Sequence, residues 1–377
     1  MDLAFDEETE EFRAEVRDFL AANTEHFPTE SYDTAEGFEQ HRHWDRVLFD
    51  AGLSVIAWPK EYGGRDATLL QWIVYEEEYF RAGAPGRASA NGTSMLGPTL
   101  FAHGTREQRD RVLPKMASGE EIWAQAWSEP ESGSDLASLR STATRTDGGW
   151  KLNGQKIWSS RAPFGDKAFG LFRSDPTAQR HRGLTYLMFD LRAPGVTVRP
   201  IAQLGGDTGF GEVFLDDVFV PDDDVIGAVD DGWRAAMSTS SNERGMSLRS
   251  PARFLAPAER LVEAWQSERD PVFADRVADA WIKAQAYRLH TFGTVTRLTG
   301  GGELGAESSV TKVFWSDLDV ALHQTALDLR GADAELVDSW TDGLLFALGG
   351  PIYAGTNEIQ RNIIAERLLG LPRESKG

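Results

Sequence analysis

Apolar residues recur at helical spacing through the first third of the chain. Phe12, Val16, Phe19 and Leu20 share one face, and Trp72, Val74, Tyr75, Tyr79 and Phe80 mark a later helical segment. Pro59, Gly63-Gly64, Pro85-Gly86 and Gly97-Pro98 fall between such segments as connectors. This pattern predicts a helical domain over residues 1–122. From residue 123 the period shortens to that of strands. Thr142–Thr146, Trp150–Leu152 and Gln155–Ser160 are separated by Asp147-Gly148 and Asn153-Gly154, pairs that supply the positive φ of hairpin turns. Further strand-like runs follow at Gly183–Asp190, Val196–Arg199 and Gly211–Val220, the last closed by Pro221. An antiparallel β-barrel or sandwich is expected over 123–228. Helical spacing returns at Glu259–Trp265, Val277–Leu289, Val310–Leu329 and Asn357–Leu369. Asn357 and Gln360 fit a helix N-cap with its reciprocal partner, and Gly370 with Pro372 fits its end. Residues 229–377 therefore read as a four-helix bundle. The fold class is a multidomain α+β protein, and the order helical, β, helical is not the βαβ alternation of a nucleotide-binding sheet.

Length and charge narrow the function. A chain of 377 residues is long enough for two or three domains. A net charge of −20 argues against a nucleic-acid partner, since phosphate binding needs clustered Lys and Arg. With no cysteine, disulfides and thiolate chemistry are excluded, and the seven scattered histidines suggest no metal site. The acidic opening Met1–Glu8 lacks the form of a secretory signal, and no apolar run approaches a membrane span, so a cytoplasmic protein is expected. Gly205–Gly211 has its glycines in the wrong order for a dinucleotide fingerprint. Ser309-Val310-Thr311-Lys312 matches a serine-acylase tetrapeptide, but the companion motifs are missing.

Candidate chemistry concentrates in three stretches. Ala124–Leu136 contains Ala-Gln-Ala-Trp-Ser-Glu-Pro-Glu-Ser-Gly-Ser-Asp, small residues and hydroxyls with backbone N–H groups to spare, which suits an extended anionic cofactor. Asn153–Ser160 brings an indole and two hydroxyls to a strand end, and Ile352-Tyr353-Ala354-Gly355-Thr356-Asn357-Glu358 opens the last helix. In this order, together with Trp58–Gly64 and the region from Gly97-Pro98 to Leu113-Pro114, they resemble the acyl-CoA dehydrogenase family over nearly the whole chain. The resemblance implies FAD, with Gln125, Trp127, Ser128, Gly133 and Ser134 along its ring and ribityl chain. Trp158, Ser159 and Ser160 would lie on its other side, and Thr356 and Glu358 would meet it at the final helix. Ser134, Arg244, Ala354 and Gly355 would face the acyl-CoA substrate.

One departure from the family's commonest pattern sets the question of mechanism. Where that pattern has the glutamate that removes the substrate's α-proton, this chain has Ala354, whose methyl group cannot take a proton. Some relatives carry the base in a Glu-Arg pair at the start of the C-terminal bundle, and Glu243-Arg244 stands at the corresponding place. The resemblance implies dehydrogenation to the trans-2-enoyl-CoA with Glu243 as base, the Ala354 N–H polarising the thioester, and an electron-transfer flavoprotein as oxidant. Gly245 and Pro251 are expected to weaken and kink the helix carrying that base. The Arg-x-x-Phe-Gly segment by which relatives reach a neighbouring subunit's FAD reads Ala264–Pro271 here without that motif, and the usual Gln-Ile-x-Gly-Gly reads Asp328-Leu329-Arg330-Gly331-Ala332. These changes resemble actinobacterial enzymes of sterol side chains, many of them heteromeric. They imply a dimer or tetramer whose partner is either a copy or a second, related chain. The alternatives are a flavin monooxygenase on the same scaffold and a non-catalytic subunit.

Overall fold

The computed structural model describes residues 5–244 and 250–373, without the side chains of residues 241–244 and 268. Helices α1 (Glu7–Ala22), α2 (Ala35–Asp50), α3 (Leu69–Arg81), α4 (Gly97–His103) and α5 (Arg106–Ala117) come first. Strands β1 (Trp123–Gln125), β2 (Thr142–Thr146), β3 (Gly149–Ser160), β4 (Lys167–Arg173), β5 (Leu184–Asp190), β6 (Val196–Ile201), β7 (Phe210–Pro221) and β8 (Val225–Ile226) follow. Helices α6 (Gly232–Arg244), α7 (Ala252–Glu268), α8 (Ala274–Thr299), α9 (Ser308–Arg330), α10 (Ser339–Ala347) and α11 (Asn357–Ile363) complete the chain. The expected α+β architecture of helical, sheet and helical regions is present.

The strands form one sheet in the order β6-β7-β3-β2-β4-β5-β8, with β1 beside β4. Its pairings are antiparallel except that β1 and β2 both run parallel to β4. Asp147-Gly148 makes the β2–β3 hairpin as expected, with Thr146 opposite Gly149. Asn153-Gly154 does not make a turn. Residues 149–160 are one strand, and the register against β7 slips between Leu152 and Gly154. The slip is a bulge whose extra residue lies on β7, where Asp216 and Asp217 oppose Asn153 alone and Asp217 takes a φ of +51°; Asn153 accepts from the Asp217 N–H and donates to the Asp217 carboxylate, both at 2.9 Å. Of the pair only Gly154 has a positive φ, +142°, and the pairing with β7 decides that the chain runs on as a strand.

The chain packs as two compact units. One takes residues 23–67 and 85–243, so that α2, α4, α5 and α6 belong with the sheet. Its core joins Trp150, Leu152, Phe172, Leu187, Phe189 and Val213. Gly97 has no side chain because a Cβ there would come within 2.2 Å of the Trp58 ring, so two segments of the family resemblance meet in this unit. Gln108 of α5 donates to the carbonyls of Asp223 and Val225 at 2.8 and 2.7 Å, and Arg42 of α2 pairs with Asp166 at 2.9 Å.

Asp45 of α2 is fully buried in the same unit. Its Oδ2 accepts from the Ser89 N–H at 2.8 Å, while Oδ1 has no hydrogen-bond partner. Desolvation pushes its pKa from 3.8 up to about 6, against the opposing pull of the Ser89 N–H and Arg87. A carboxyl whose pKa is raised by folding favours the folded state at low pH, and that contribution is lost as pH climbs from about 4 through about 6. Asp45→Asn keeps an acceptor for Ser89 and removes the buried charge. It is expected to stabilise the protein by about 2–3 kcal/mol at pH 8 and to change little at pH 4. A thermal midpoint at pH 8 no higher than that of the unmodified protein would refute this.

The other unit takes residues 1–22, 68–84 and 244–377. Phe254, Leu261, Ala284, Tyr287, Trp315, Leu318 and Leu322 form its centre. Helix α3, capped by Thr68 and Gln71 in a reciprocal box, is buried all round from Trp72 to Tyr79, three glutamates included. Arg13 and Arg288 pair with Glu77, and Arg13, Arg17 and Arg81 with Glu78, so these carboxylates are buried only as partners of cations. Pro251 is the N-cap of α7, so the proline expected to kink a helix stands at the head of one. Gly245 lies outside the described residues.

Candidate active site

The residues expected to hold FAD and substrate fall into two groups, one in each unit. In the sheet unit, β1 delivers Gln125 and the chain then turns away from the strand. Glu129 and Ser132 exchange backbone hydrogen bonds at 3.0 Å around Pro130-Glu131, and the Ser132 hydroxyl donates to the Asp135 carbonyl at 2.8 Å. This tight turn leaves Gly133 and Ser134 exposed, and a Cβ on Gly133 would meet nothing within 4 Å. Trp127 is half-buried, and its indole N–H donates to the Tyr186 hydroxyl at 3.1 Å. Tyr186 in turn contacts Thr239 at 3.3 Å, and Thr239 contacts Thr99 at 2.7 Å. Loop, sheet, α6 and α4 are thereby joined by one buried line of hydroxyls, four positions before Glu243.

Strand β3 brings the second segment alongside the first. The Ile157 N–H donates to the Ser128 carbonyl at 2.8 Å. Between Lys156 and Ser159 the register against β7 slips again, and Trp158 takes a left-handed φ of +59°. An aromatic residue rarely adopts that conformation, and a bulge is the device by which a strand re-aims one side chain. The result is a Trp158 ring that is 56% exposed and touches Phe210 edge-on at 6.1 Å. Next to it, Ser159 is buried with its hydroxyl lacking any hydrogen-bond partner among the described residues. The carbonyl of Ser160 accepts from the Asn91 side chain at 3.3 Å.

These features suit a flavin. An exposed indole held in a strained conformation gives a ring a face to pack on, the unpartnered Ser159 hydroxyl and half-buried Ser128 offer polar contacts, and the open backbone at Gly133 admits a close approach. Sequence reasoning missed Lys156. It is fully buried on β3, yet its ammonium reaches the Glu129 carboxylate at 2.8 Å and the Leu171 carbonyl at 2.8 Å. Desolvation works against the Lys156 charge and Glu129 works for it, while Lys156 and two backbone N–H groups hold Glu129 below its usual carboxylate range despite burial. A signal was present, because Trp150, Leu152 and Lys156 share the inward parity of β3, and a lysine at an inward position calls for a buried carboxylate.

In the helical unit, Ala354 and Gly355 both have positive φ, +55° and +81°. A Cβ on Gly355 would come within 2.5 Å of the Gln360 amide, which donates to the carbonyls of Ala354 and Gly355 at 3.3 Å. The cap of α11 is Thr356, whose hydroxyl accepts from the Ile359 N–H, and not Asn357 as expected. Asn357 is instead consumed by tertiary contacts. Its Oδ1 accepts from Lys312 at 2.7 Å and Ser316 at 3.1 Å, and its Nδ2 donates to Asp317 at 3.0 Å. The lysine of the dismissed serine-acylase tetrapeptide thus has an anchoring role. Glu358 is exposed, its pKa lowered by its own backbone N–H and by Thr356. Glu243 and Arg244 are the last described residues of α6, and their side chains lie outside the described residues.

Family models agree with this geometry. The N-terminal, middle and C-terminal domains of acyl-CoA dehydrogenase match residues 6–120, 124–218 and 230–369. The acyl-CoA dehydrogenase IpdE1 of Mycobacterium tuberculosis is 40% identical over 396 aligned positions, covering 98% of this chain and 100% of that protein. FadE34 of the same organism is 38% identical over 87% of this chain and 46% of its own length. Among solved structures, the Tcur3481-Tcur3483 steroid ACAD superposes with a TM-score of 0.89 at 26% identity, covering 99% of this chain and 100% of that one. The ChsE4-ChsE5 complex from Mycobacterium tuberculosis superposes with a TM-score of 0.85 at 27% identity, covering 99% and 100%. The chain belongs to the acyl-CoA dehydrogenase family and is, with it, an FAD-dependent oxidoreductase acting on acyl-CoA.

Proposed function

We propose that this chain removes the α-proton of an acyl-CoA through Glu243 and forms the trans-2-enoyl-CoA, on an acyl group of the bulky, steroid-derived class. The observation that carries the first part is Ala354. It occupies a left-handed position between Tyr353 and Gly355, where it retains a backbone N–H and has no group able to accept a proton. The N–H would polarise the thioester carbonyl as charge develops on its oxygen. Proton removal then requires a carboxylate from elsewhere, and Glu243, in a Glu-Arg pair at the end of α6, supplies one with Arg244 beside it. A dry acyl pocket would raise its pKa toward the working pH. FAD, when bound, supplies the acceptor for the β-hydrogen. Gln125, Trp127, Ser128, Gly133, Ser134, Trp158, Ser159, Ser160, Thr356 and Glu358 would hold it. Ser134 and Gly355 would border the substrate.

The substrate class rests on similarity to a solved structure described as a steroid ACAD. Assembly with a second, related chain, an electron-transfer flavoprotein as oxidant, a cytoplasmic location and domain boundaries after residues 122 and 228 belong to the same proposal. Among the described residues no helix is long and apolar enough to cross a membrane. The test is an anaerobic titration of the purified protein with short, long, branched and steroid-derived acyl-CoAs. Steroid-derived substrates are expected to bleach the bound flavin most completely. Bleaching by straight-chain acyl-CoAs alone would overturn the substrate class, and flavin that appears only when a second chain is added would support the heteromer.

A further inference from the structure

The two segments assigned to the flavin lie far apart in sequence, and one buried cation joins them. The Lys156 ammonium has three N–H donors and meets three acceptors: the Glu129 carboxylate at 2.8 Å, the Leu171 carbonyl at 2.8 Å and the Trp127 carbonyl at 3.3 Å. It also lies 4.9 Å from the centre of the Phe172 ring. Glu129 is equally occupied. It accepts from the Arg140 N–H at 2.6 Å and the Ser141 N–H at 2.9 Å as well as from Lys156. Each polar group of the pair is engaged within the protein, so the pair acts on a ligand through what it holds in place.

We propose that Lys156 is a positioning residue for FAD: it locks the loop carrying Trp127, Ser128, Gly133 and Ser134 in register with the bulge that presents Trp158, Ser159 and Ser160. Leu171 lies on β4, the strand paired with β1, so the ammonium ties the neighbour of the strand that launches the loop, the loop itself and the strand that bears the bulge. A buried ion pair is often no better for stability than well-packed apolar residues, and its best-attested use is to fix a register. Here the register is that of two cofactor-facing segments on one sheet. Without the ammonium, Glu129 must stay buried without its cation or swing outward with the loop. Either change moves Ser128 and Gly133 relative to Trp158.

The inference rests on the assignment of these segments to the flavin, and the test separates the two. Lys156→Met combined with Glu129→Gln removes both charges and keeps one amide oxygen, which can take the place of Oε1 as acceptor for the Ser141 N–H. The full chain, in the assembly in which it purifies, is stripped of flavin, its thermal unfolding recorded, and FAD titrated back. The expected result is a cooperatively unfolding protein whose FAD affinity is lower by about ten- to a hundred-fold, the range typical when the groups that orient direct contacts are lost. The flavin absorbance envelope should change as well. Wild-type affinity and envelope in the folded variant would overturn the proposal. Should the double variant fail to fold, Glu129→Gln alone keeps an acceptor for Lys156 and the Ser141 N–H, and the same titration decides. Ser128→Ala and Trp158→Ala serve as references. If neither weakens FAD binding, the assignment of these segments falls, whereas if both do and Lys156→Met/Glu129→Gln does not, only the positioning role falls.

Discussion

Glu243→Gln is expected to lower kcat by about a hundred- to ten-thousand-fold while FAD and acyl-CoA still bind, because a positioned general base contributes that much to proton removal. The corresponding loss of transition-state stabilisation is roughly 3–5 kcal/mol. The substitution keeps the size and hydrogen-bonding reach of the side chain and removes only its ability to take a proton. Ala354 cannot compensate, since its side chain is a methyl group. Stopped-flow bleaching of the flavin would read the effect directly, and spectral perturbation by a non-reactive acyl-CoA would show that the substrate site is intact. A variant that bleaches at the wild-type rate would place the base elsewhere, whereas a wild-type protein whose flavin no acyl-CoA bleaches would return attention to a monooxygenase or a non-catalytic subunit.

Trp315→Ala is expected to cost about 3–5 kcal/mol, the usual range for deleting a fully buried aromatic side chain. The Trp315 ring is 1% exposed and stacks with Phe254 at 6.0 Å and Tyr353 at 5.9 Å, with interplanar angles of 25° and 28°. The stack runs from the bundle centre to the residue before Ala354, so a cavity there releases the turn from which the thioester would be polarised. Denaturant unfolding gives the stability change, and FAD retention under folding conditions gives its effect on the site. Trp315→Phe, which keeps a ring in the stack, should recover much of both. A loss below about 1 kcal/mol would mean that the bundle closes over the cavity and that the stack is not what holds Tyr353.

Secondary structure was legible in this sequence wherever a local rule was sufficient. Asp147-Gly148 gave a hairpin because its φ requirement and its flanking strands agree. Asn153-Gly154 obeys the same rule but lies opposite Asp217, and that pairing is a tertiary fact. The cap of α11 was misplaced by one residue for a similar reason. Asn357 has the right side chain for a cap, but the buried Lys312 and Ser316 take its oxygen, and Thr356 caps instead. Much of the candidate site could be read by resemblance, including Trp158-Ser159-Ser160 and the replacement of glutamate by Ala354. How the cofactor segments are held together was only half legible: the parity of β3 marks Lys156 as inward, but nothing local marks Glu129, on a turn outside any strand, as its partner.

The helical unit has a consequence for how the protein is made. Helices α1 and α3 emerge early from the ribosome, yet the helices that bury them begin at Ala252. At ordinary rates of synthesis that is a delay of roughly ten to thirty seconds. Throughout it, the apolar surface of α3 from Trp72 to Tyr79 and its three glutamates have neither their packing nor their full set of arginines. The sheet unit, by contrast, is complete once residue 243 is out. A nascent chain in that interval carries a finished sheet unit and a pair of helices that still lacks α7 and α8, and it is then that holdase chaperones and proteases have their best access to it.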